Sequence, residues 1–201
     1  MNRLQLKEKS KQQIKGKIGI LLAIAIIVFG LSFLAGIIPV IGAGASMIIT
    51  PPLVLSTAII YLKIAKEEPF GVSNVFDGFY DWWSAFKVNF LVGLFTLLWS
   101  LLFIIPGIIK SFSYSQAVFI LAENPHMSAL EAIRKSKEMM EGHKVDLFVL
   151  MLSFIGWELL GIITLGIAYI WVYPYMMTAY TNFYLELKKE QGAVNATYSE
   201  I

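Results

Sequence analysis

The sequence predicts an all-α, polytopic membrane protein with six transmembrane helices arranged as three hairpins, together with cytoplasmic amphipathic helices. Of its 201 residues, 57% are hydrophobic and only 15% are charged, which is too little charge to cover the surface of a soluble fold. Apolar segments of about 20 residues recur, and each is long enough to cross about 30 Å of hydrocarbon. The alternating segments of about 10 residues that build a membrane β-barrel do not occur in the sequence.

Turn and charge signals divide the chain into six spans. The first apolar run is longer than the core of a secretion signal, so we expect it to be retained as a span. The connections after spans one, three and five are short and almost uncharged, whereas those after spans two and four are longer and charged. The predicted spans are residues 18–38, 46–62, 88–105, 107–121, 145–163 and 166–184. A basic amphipathic segment (1–17) precedes this membrane domain (18–187), and a polar tail (188–201) follows it.

The distribution of basic residues predicts the orientation. All but one of the 16 Lys and Arg residues fall before span one, in the second and fourth connections, or after span six. Short loops that are rich in Lys and Arg face the cytoplasm. We therefore expect a multi-pass protein of the cell (plasma) membrane with both termini in the cytoplasm.

The exception, Lys110, follows a Pro106-Gly107 pair in the middle of a long apolar run. A single helix through this run would be roughly 50 Å long, which exceeds the thickness of the bilayer. We therefore predict a hairpin turn at Pro106 and Gly107, because proline lacks an N–H and glycine permits unusual φ angles. Pro39 marks the turn after span one, and Pro51, Pro52 and Pro174 predict kinks within spans two and six.

An internal repeat supports the hairpin arrangement. The strings LAGIIP (34–39), LLFIIP (101–106) and LLGIIT (159–164) each end an outward span, and each has a lysine about 20 residues earlier. These strings divide the chain into three approximate repeats at 2–66, 67–125 and 126–189. Each repeat would contain a cytoplasmic amphipathic segment, a span out, a turn and a span back.

Three cytoplasmic elements are candidates for contact with lipid or protein. Residues 128–141 predict an amphipathic helix that begins with a Ser128–Glu131 capping box and stops at Gly142. This helix either forms a contact surface or simply rests on its own bundle. The aromatic connection at 69–87 favours anchoring in the membrane interface, although a partner site is an alternative. The basic N-terminal segment would attract anionic lipid. The candidate contact residues of the helix are Arg134, Lys135, Lys137, Met140 and Lys144.

Polar side chains inside the predicted spans form a candidate intramembrane site. Lys110 and Glu158 lie in the outer halves of spans four and five, and an unpaired ion is costly there, so the two could form an ion pair. Alternatively, Lys110 extends toward the outer surface, and Glu158 is protonated or bonded to hydroxyl groups. The remaining polar residues of span four either pack against neighbouring helices or line a water-filled path. They are Ser111, Ser113, Tyr114, Ser115 and Gln116.

The sequence contains no catalytic signature. It has no His-Glu-x-x-His motif, no glycine-rich phosphate loop, no Gly-x-Ser-x-Gly and no cysteine. We expect no enzymatic activity, no cofactor, no metal site and no nucleic-acid partner. The favoured function is a structural or regulatory membrane module that acts through lipid, a membrane-protein partner or a second copy of itself. The alternative is a small-solute or ion transporter or channel that uses Lys110, Glu158 and the hydroxyls of span four.

Between residues 101 and 184 the chain carries several motifs in order: PGIIK with SYS, ENP, a segment of the form AIxxSKxMMxGHK, LSFxGW and PY. In these motifs it resembles a family of uncharacterised bacterial integral membrane proteins, domain of unknown function 975. The resemblance implies a membrane location and this topology, but no activity. The matching motif positions are Pro106, Gly107, Lys110, Ser136, Met140, Gly142, Lys144 and Trp157.

Overall fold

A computed structural model describes residues 3–37 and 42–199 of the chain. Every regular element in these ranges is a helix, which confirms the predicted all-α class for the described residues. The predicted turn residue Pro39 lies outside them. The elements are α1 (Arg3–Ile14), α2 (Ile18–Ile37), α3 (Gly42–Ala65), a 3-10 segment (Val72–Phe79), α4 (Trp82–Leu102), α5 (Ile104–Tyr114), α6 (Ala117–Glu123), α7 (Ala129–Met139), α8 (Lys144–Leu152), α9 (Ile155–Ile163) and α10 (Tyr169–Ser199).

Five segments of the described chain are long and apolar enough to cross a membrane. They correspond to predicted spans one to five. The predicted sixth span lies at the start of α10, which is not among the five, because α10 is less apolar and carries polar residues such as Thr178, Thr181 and Asn182 in its middle. The count of six therefore stays a prediction. The five segments are Ile18–Ala35, Ser46–Ala65, Trp82–Leu102, Ile104–Glu123 and Lys144–Ile163.

Large apolar side chains are exposed at the predicted outer ends of the helices. Only 17% of Ile18–Ala35 and 11% of Trp82–Leu102 are buried inside the protein. Leu101 and Ile104 are about three-quarters exposed. Exposed apolar surface on this scale is unfavourable in water, and lipid acyl chains would cover it without cost.

The packed core lies toward the opposite, predicted inner end. Ile64 of α3, Ala117 of α6 and Phe183 of α10 are fully buried there. Helix α7 belongs to this core, since Ala132 and Ser136 are fully buried against its neighbours. The predicted amphipathic helix therefore rests on its own bundle along one face. Its predicted N-cap is present, with Glu131 N donating to Ser128 Oγ at 3.3 Å.

The chain reverses between α4 and α5 at Phe103, not at Pro106 and Gly107 as predicted. Phe103 adopts extended backbone angles, and α5 begins at the next residue. Pro106 then lies in the first turn of α5, where the missing N–H of proline costs nothing. Gly107 is buried against Ser100 of α4, and a Cβ at Gly107 would clash with it. The Pro-Gly pair therefore serves the close packing that follows the turn.

Two of the predicted spans are broken in the middle. Span four consists of α5 and α6, separated at Ser115 and Gln116, and span five consists of α8 and α9, separated at Ser153 and Phe154. No proline or glycine lies at either break, so the sequence carries no turn signal there. The predicted kink residues Pro51, Pro52 and Pro174 instead lie within continuous helices and are buried.

The 3-10 segment packs closely against α3 at Gly78. Gly78 is buried, and its N–H donates to Ser56 Oγ at 2.8 Å. A Cβ at this position would collide with the carbonyl oxygen of Pro52 and would lie 2.7 Å from Ser56 N. Both of these are backbone atoms and cannot move aside alone.

We therefore expect Gly78→Ala to destabilise the protein by about 1 to 3 kcal/mol through overpacking. The matched control is Gly93→Ala in α4, where a Cβ meets open space; we expect it to be neutral or to stabilise by up to about 1 kcal/mol. Thermal unfolding in detergent, followed by circular dichroism, measures both. Equal melting temperatures for the two variants would contradict the tight contact.

Candidate functional site

Lys110 and Glu158 do not form an ion pair, so of the two alternatives that the sequence left open, the pairing is wrong. The Nζ of Lys110 lies 4.6 Å from the centroid of the Trp99 ring, in a cation–π contact with α4. The Oε2 of Glu158 accepts a hydrogen bond of 2.8 Å from the hydroxyl of Tyr169 in α10. Lys110 thus contacts the helix that precedes its own in the chain, and Glu158 contacts the helix that follows its own. This contact of Glu158 matches the second alternative from the sequence, in which its carboxyl group is bonded to a hydroxyl group.

The hydroxyl groups of α5 are bonded to their own helix. Ser111 donates to the carbonyl of Ile108 at 2.7 Å, and Ser113 donates to the carbonyl of Ile109 at 3.0 Å. Tyr114 is buried and packs against an aromatic ring of α4. A serine hydroxyl that donates to a carbonyl of the preceding turn has a partner within its own helix.

The break in span four is closed by side chains from α7 and α10. Ser136 Oγ donates to the carbonyl of Ser113 at 2.8 Å and accepts from the backbone N–H of Gln116 at 3.1 Å. The hydroxyl of Tyr180 donates to the carbonyl of Ser115 at 3.0 Å. Each of these contacts satisfies a backbone group at the interruption. Both helices are therefore needed to hold the broken span together.

The break in span five is closed by α1. The backbone N–H of Trp157 bonds to Phe154 O, which leaves the carbonyl of Ser153 without its usual helical partner. Lys7 Nζ takes that place, donating to Ser153 O at 3.1 Å and to Ser153 Oγ at 3.2 Å. The ammonium group also lies 4.4 Å from the Phe154 ring centroid. Burial lowers the pKa of Lys7, as expected for an ammonium group that has left bulk water.

Glu123 is the centre of the strongest polar cluster at the predicted inner end. Its side chain is only 8% exposed and lies 2.7 Å from the Nζ atoms of both Lys66 and Lys188. The hydroxyl of Tyr184 donates to the same carboxylate at 2.6 Å. The cluster joins the end of α3, the end of α6 and the middle of α10. We call Glu123, Lys66, Tyr184 and Lys188 the Glu123 cluster.

The predicted contact helix, α7, presents basic side chains that are largely matched by acidic ones. Arg134 lies 4.0 Å from Glu138, and Lys135 lies 3.8 Å from Glu131. Lys137 is exposed, Lys144 is half-buried and Met140 is completely buried. Met140 therefore belongs to the core and is not available to a partner.

The aromatic connection remains largely at the surface. Tyr80 is 92% exposed, and the exposed rings beside it include those of Trp82 and Trp83. The Trp83 ring stacks on Phe86 at 5.7 Å, and Phe86 stacks on Phe90 at 5.8 Å. A stacked, exposed row at the start of an apolar helix is typical of an interfacial anchor.

No group of three His, Asp or Glu residues within 3–37 and 42–199 could hold a metal ion. The contacts that the sequence did not predict are those of Lys7, Glu123, Ser136 and Tyr180. Glu123 begins the ENP motif, and Ser136 belongs to another family motif. The motifs mark both residues as positions of interest, but they do not indicate what either residue contacts. Lys7 and Tyr180 carried no such signal, because their partners are more than 60 positions away.

These observations define an all-α protein whose helices are apolar enough to cross a membrane and whose broken helices are held by polar contacts from neighbouring helices. A family model described as "Protein of unknown function (DUF975)" matches residues 1–111 and 101–191, and the chain belongs to this family. The resemblance noted in the sequence is thereby confirmed. No curated protein and no solved structure matches the chain.

Removing the Ser136 hydroxyl should destabilise the fold. Ser136→Ala leaves the carbonyl of Ser113 and the N–H of Gln116 without this buried partner, which costs about 1 to 3 kcal/mol. Ser73→Ala, at an exposed position of the 3-10 segment, is the matched control and should be neutral. Melting temperatures of the two variants in the same detergent give the comparison, and an unchanged value for Ser136→Ala would refute its role at the break.

Neutralising Glu123 should destabilise the predicted inner end of the bundle. Glu123→Gln keeps the shape of the side chain but removes the charge that faces Lys66 and Lys188. Hydrogen bonds to charged groups contribute about 1.5 to 3 kcal/mol, so a loss of this size is expected in thermal unfolding.

The control for this change is Glu138→Gln on α7, whose side chain is 58% exposed and lies 4.0 Å from Arg134. A surface pair of this kind contributes under about 1 kcal/mol. Equal melting temperatures for Glu123→Gln and Glu138→Gln would show that the Glu123 cluster does not determine stability.

Proposed function

We propose that this protein is a non-enzymatic structural or regulatory module of the plasma membrane, with six spans and both termini in the cytoplasm, that acts through contacts with lipid or with another membrane protein. The observation that carries the proposal is a division of polar groups. Most polar side chains of span four are bonded inside the protein, whereas basic and aromatic side chains at the predicted inner end are exposed. A protein of this kind carries its binding groups on its surface and does not line an internal path with them.

The interior around span four supports this function. Ser113 and Gln116 are buried, and the three serine hydroxyls of this region bond to carbonyls of the preceding turn. Gln116 Nε2 donates to Ser115 Oγ at 2.9 Å. A transport path needs polar groups that exchange partners with a solute. The serine hydroxyls and Nε2 of Gln116 already have partners, whereas the buried Oε1 of Gln116 has none in the described structure.

The start of α10 supports a sixth span. Residues 169–185 contain no charged side chain, and at 1.5 Å per residue they extend about 25 Å. Lys188 and Lys189 follow, as the positive-inside rule expects of a cytoplasmic end. With this span the N-terminal and C-terminal basic segments lie on one side, next to each other. The contact of α1 with α10 agrees with this placement.

The alternative is a small-solute or ion transporter, and the two broken spans favour it. Interrupted helices near the middle of a membrane form ion sites in many transporters. The breaks at Ser115–Gln116 and Ser153–Phe154 would then be the place where Glu158 and the span-four hydroxyls act. The two functions differ in whether water reaches Ser115.

Because the chain has no cysteine, single cysteines can test this difference. We expect Ser115→Cys to remain unlabelled when a membrane-impermeant thiol reagent is added outside intact cells, since the packed bundle excludes water. Leu165→Cys, at a position that is 94% exposed between α9 and α10, should be labelled and serves as the control for orientation and access. Labelling of Ser115→Cys as fast as Leu165→Cys would contradict the packed interior and favour the transporter.

A further inference from the structure

A cleft of about 740 Å³ opens between α1, the end of α3 and α10. Its rim carries lysines from all three helices, and its apolar lining comes from Leu6, Ala65 and Leu185. We call it the lysine cleft, after Lys9, Lys66, Lys188 and Lys189. These four residues come together only in the folded protein, because they lie in three separate parts of the sequence.

The lysine cleft carries more positive charge than its own carboxylates neutralise. The single carboxylate of Glu123 serves both Lys66 and Lys188, each at 2.7 Å. Lys189 lies 3.6 Å from Glu186 in an exposed pair, and Lys9 joins no ion pair within the described ranges. Four ammonium groups thus face two carboxylates.

An adjoining cavity of about 440 Å³ shares two of these lysines and adds no net positive charge. It shares Lys66 and Lys188 with the lysine cleft, and it adds Lys63 and Glu68. Lys63 is itself paired, at 3.5 Å from Asp77. The charge that a ligand can reach without breaking the Glu123 cluster is therefore that of Lys9, which joins no ion pair in the described ranges, and that of Lys189, whose pair with Glu186 is exposed.

A buried hydrogen-bond network holds the walls of the cleft in place. Asn182 Nδ2 donates to Ser10 Oγ at 3.0 Å and to Gln13 Oε1 at 2.7 Å, which fixes α1 against α10. Gln13 Nε2 donates to the carbonyl of Ala65 at 2.8 Å, which fixes α1 against α3. The three helices that carry the lysines are thereby joined by residues that are almost fully buried. A site assembled in advance spends less entropy when its ligand binds.

Ammonium groups in a half-apolar cleft match a phosphate oxyanion that has an apolar neighbour. Because the lysine cleft has excess positive charge, its ligand is expected to be an anion and not a cation. Because part of the lining is apolar, a small hydrated anion alone would fit it poorly. At the cytoplasmic surface of a membrane, the ligand with both features is an anionic phospholipid. We propose that the lysine cleft binds the head-group phosphate of an anionic phospholipid of the cytoplasmic leaflet. This rests on the function proposed above only for the placement of this end in that leaflet.

The test uses the full chain purified in mild detergent and measures retained lipid by native mass spectrometry. The probe is phosphatidylglycerol, with phosphatidylcholine as the neutral comparison. The variant Lys9→Gln/Lys189→Gln removes two cleft charges and leaves the Glu123 cluster intact. The control Lys135→Gln/Lys137→Gln removes the same charge from the exposed face of α7. We expect the cleft variant to bind phosphatidylglycerol about tenfold more weakly, and the control variant to bind it as the unmodified protein does.

Several outcomes would overturn the proposal. One is equal weakening by both double variants, because the lipid would then respond to net charge and not to the cleft. Another is retention of phosphatidylcholine as strong as that of phosphatidylglycerol. A third outcome concerns inorganic phosphate and glycerol 3-phosphate, whose binding to the same protein is also measured. If either bound as tightly as the lipid, the ligand would be a soluble cytosolic anion and not a phospholipid. Should the double variant fail to fold, Lys9→Gln alone serves, since Lys9 holds no ion pair in the described structure.

The lipid-binding measurement and the labelling of Ser115→Cys test two different claims, so either claim can fail alone. Labelling at Ser115 would refute the packed interior and would leave the measured preference for phosphatidylglycerol in place. Conversely, protection of Ser115 combined with unchanged lipid binding by Lys9→Gln/Lys189→Gln would refute the lysine cleft alone.

Discussion

The architecture depends on one constraint: a backbone group exposed by a broken helix must find a partner inside the protein, because hydrocarbon offers none. Span four is broken at Ser115 and Gln116, and span five at Ser153 and Phe154. Ser136 and Tyr180 close the first break, and Lys7 closes the second. Helices α1 and α7 are therefore part of the packed helical fold, although the sequence of each suggests a peripheral element.

The Glu123 cluster divides the basic residues of the predicted inner end into two groups with different roles. Lys66 and Lys188 are held by one buried carboxylate and link α3, α6 and α10. Lys9 and Lys189 keep positive charge that no buried carboxylate takes. The positive-inside rule treats all four alike, since it reads only their position along the chain. The structure separates cations that stabilise the fold from cations that a ligand can reach.

The sequence predicted the all-α class and five apolar segments because both follow from hydropathy over a local window. It placed the reversal at Pro106 and Gly107, whereas Phe103 is the turn residue, since the same Pro-Gly chemistry also suits the first turn of a helix. It left the pairing of Lys110 with Glu158 open, because similar depth and opposite charge do not show which helices are neighbours. The contacts of Lys7, 146 positions from Ser153, lie beyond any local pattern. The threefold repeat and the sixth span stay predictions.

The same distinction between local and long-range information bears on where a partner would bind. On α7, Arg134 and Lys135 lie one helical turn from Glu138 and Glu131, so two of its three cations are paired within the helix itself, whereas Lys137 is exposed. Met140 is buried. Such i,i+4 pairs stabilise a helix slightly and leave little net field. The lysine cleft has the opposite character, because its cations come from three helices and its carboxylates are fewer. A surface with uncompensated charge on walls fixed by Asn182 and Gln13 is better suited to recognise an anion than a helix face that neutralises itself.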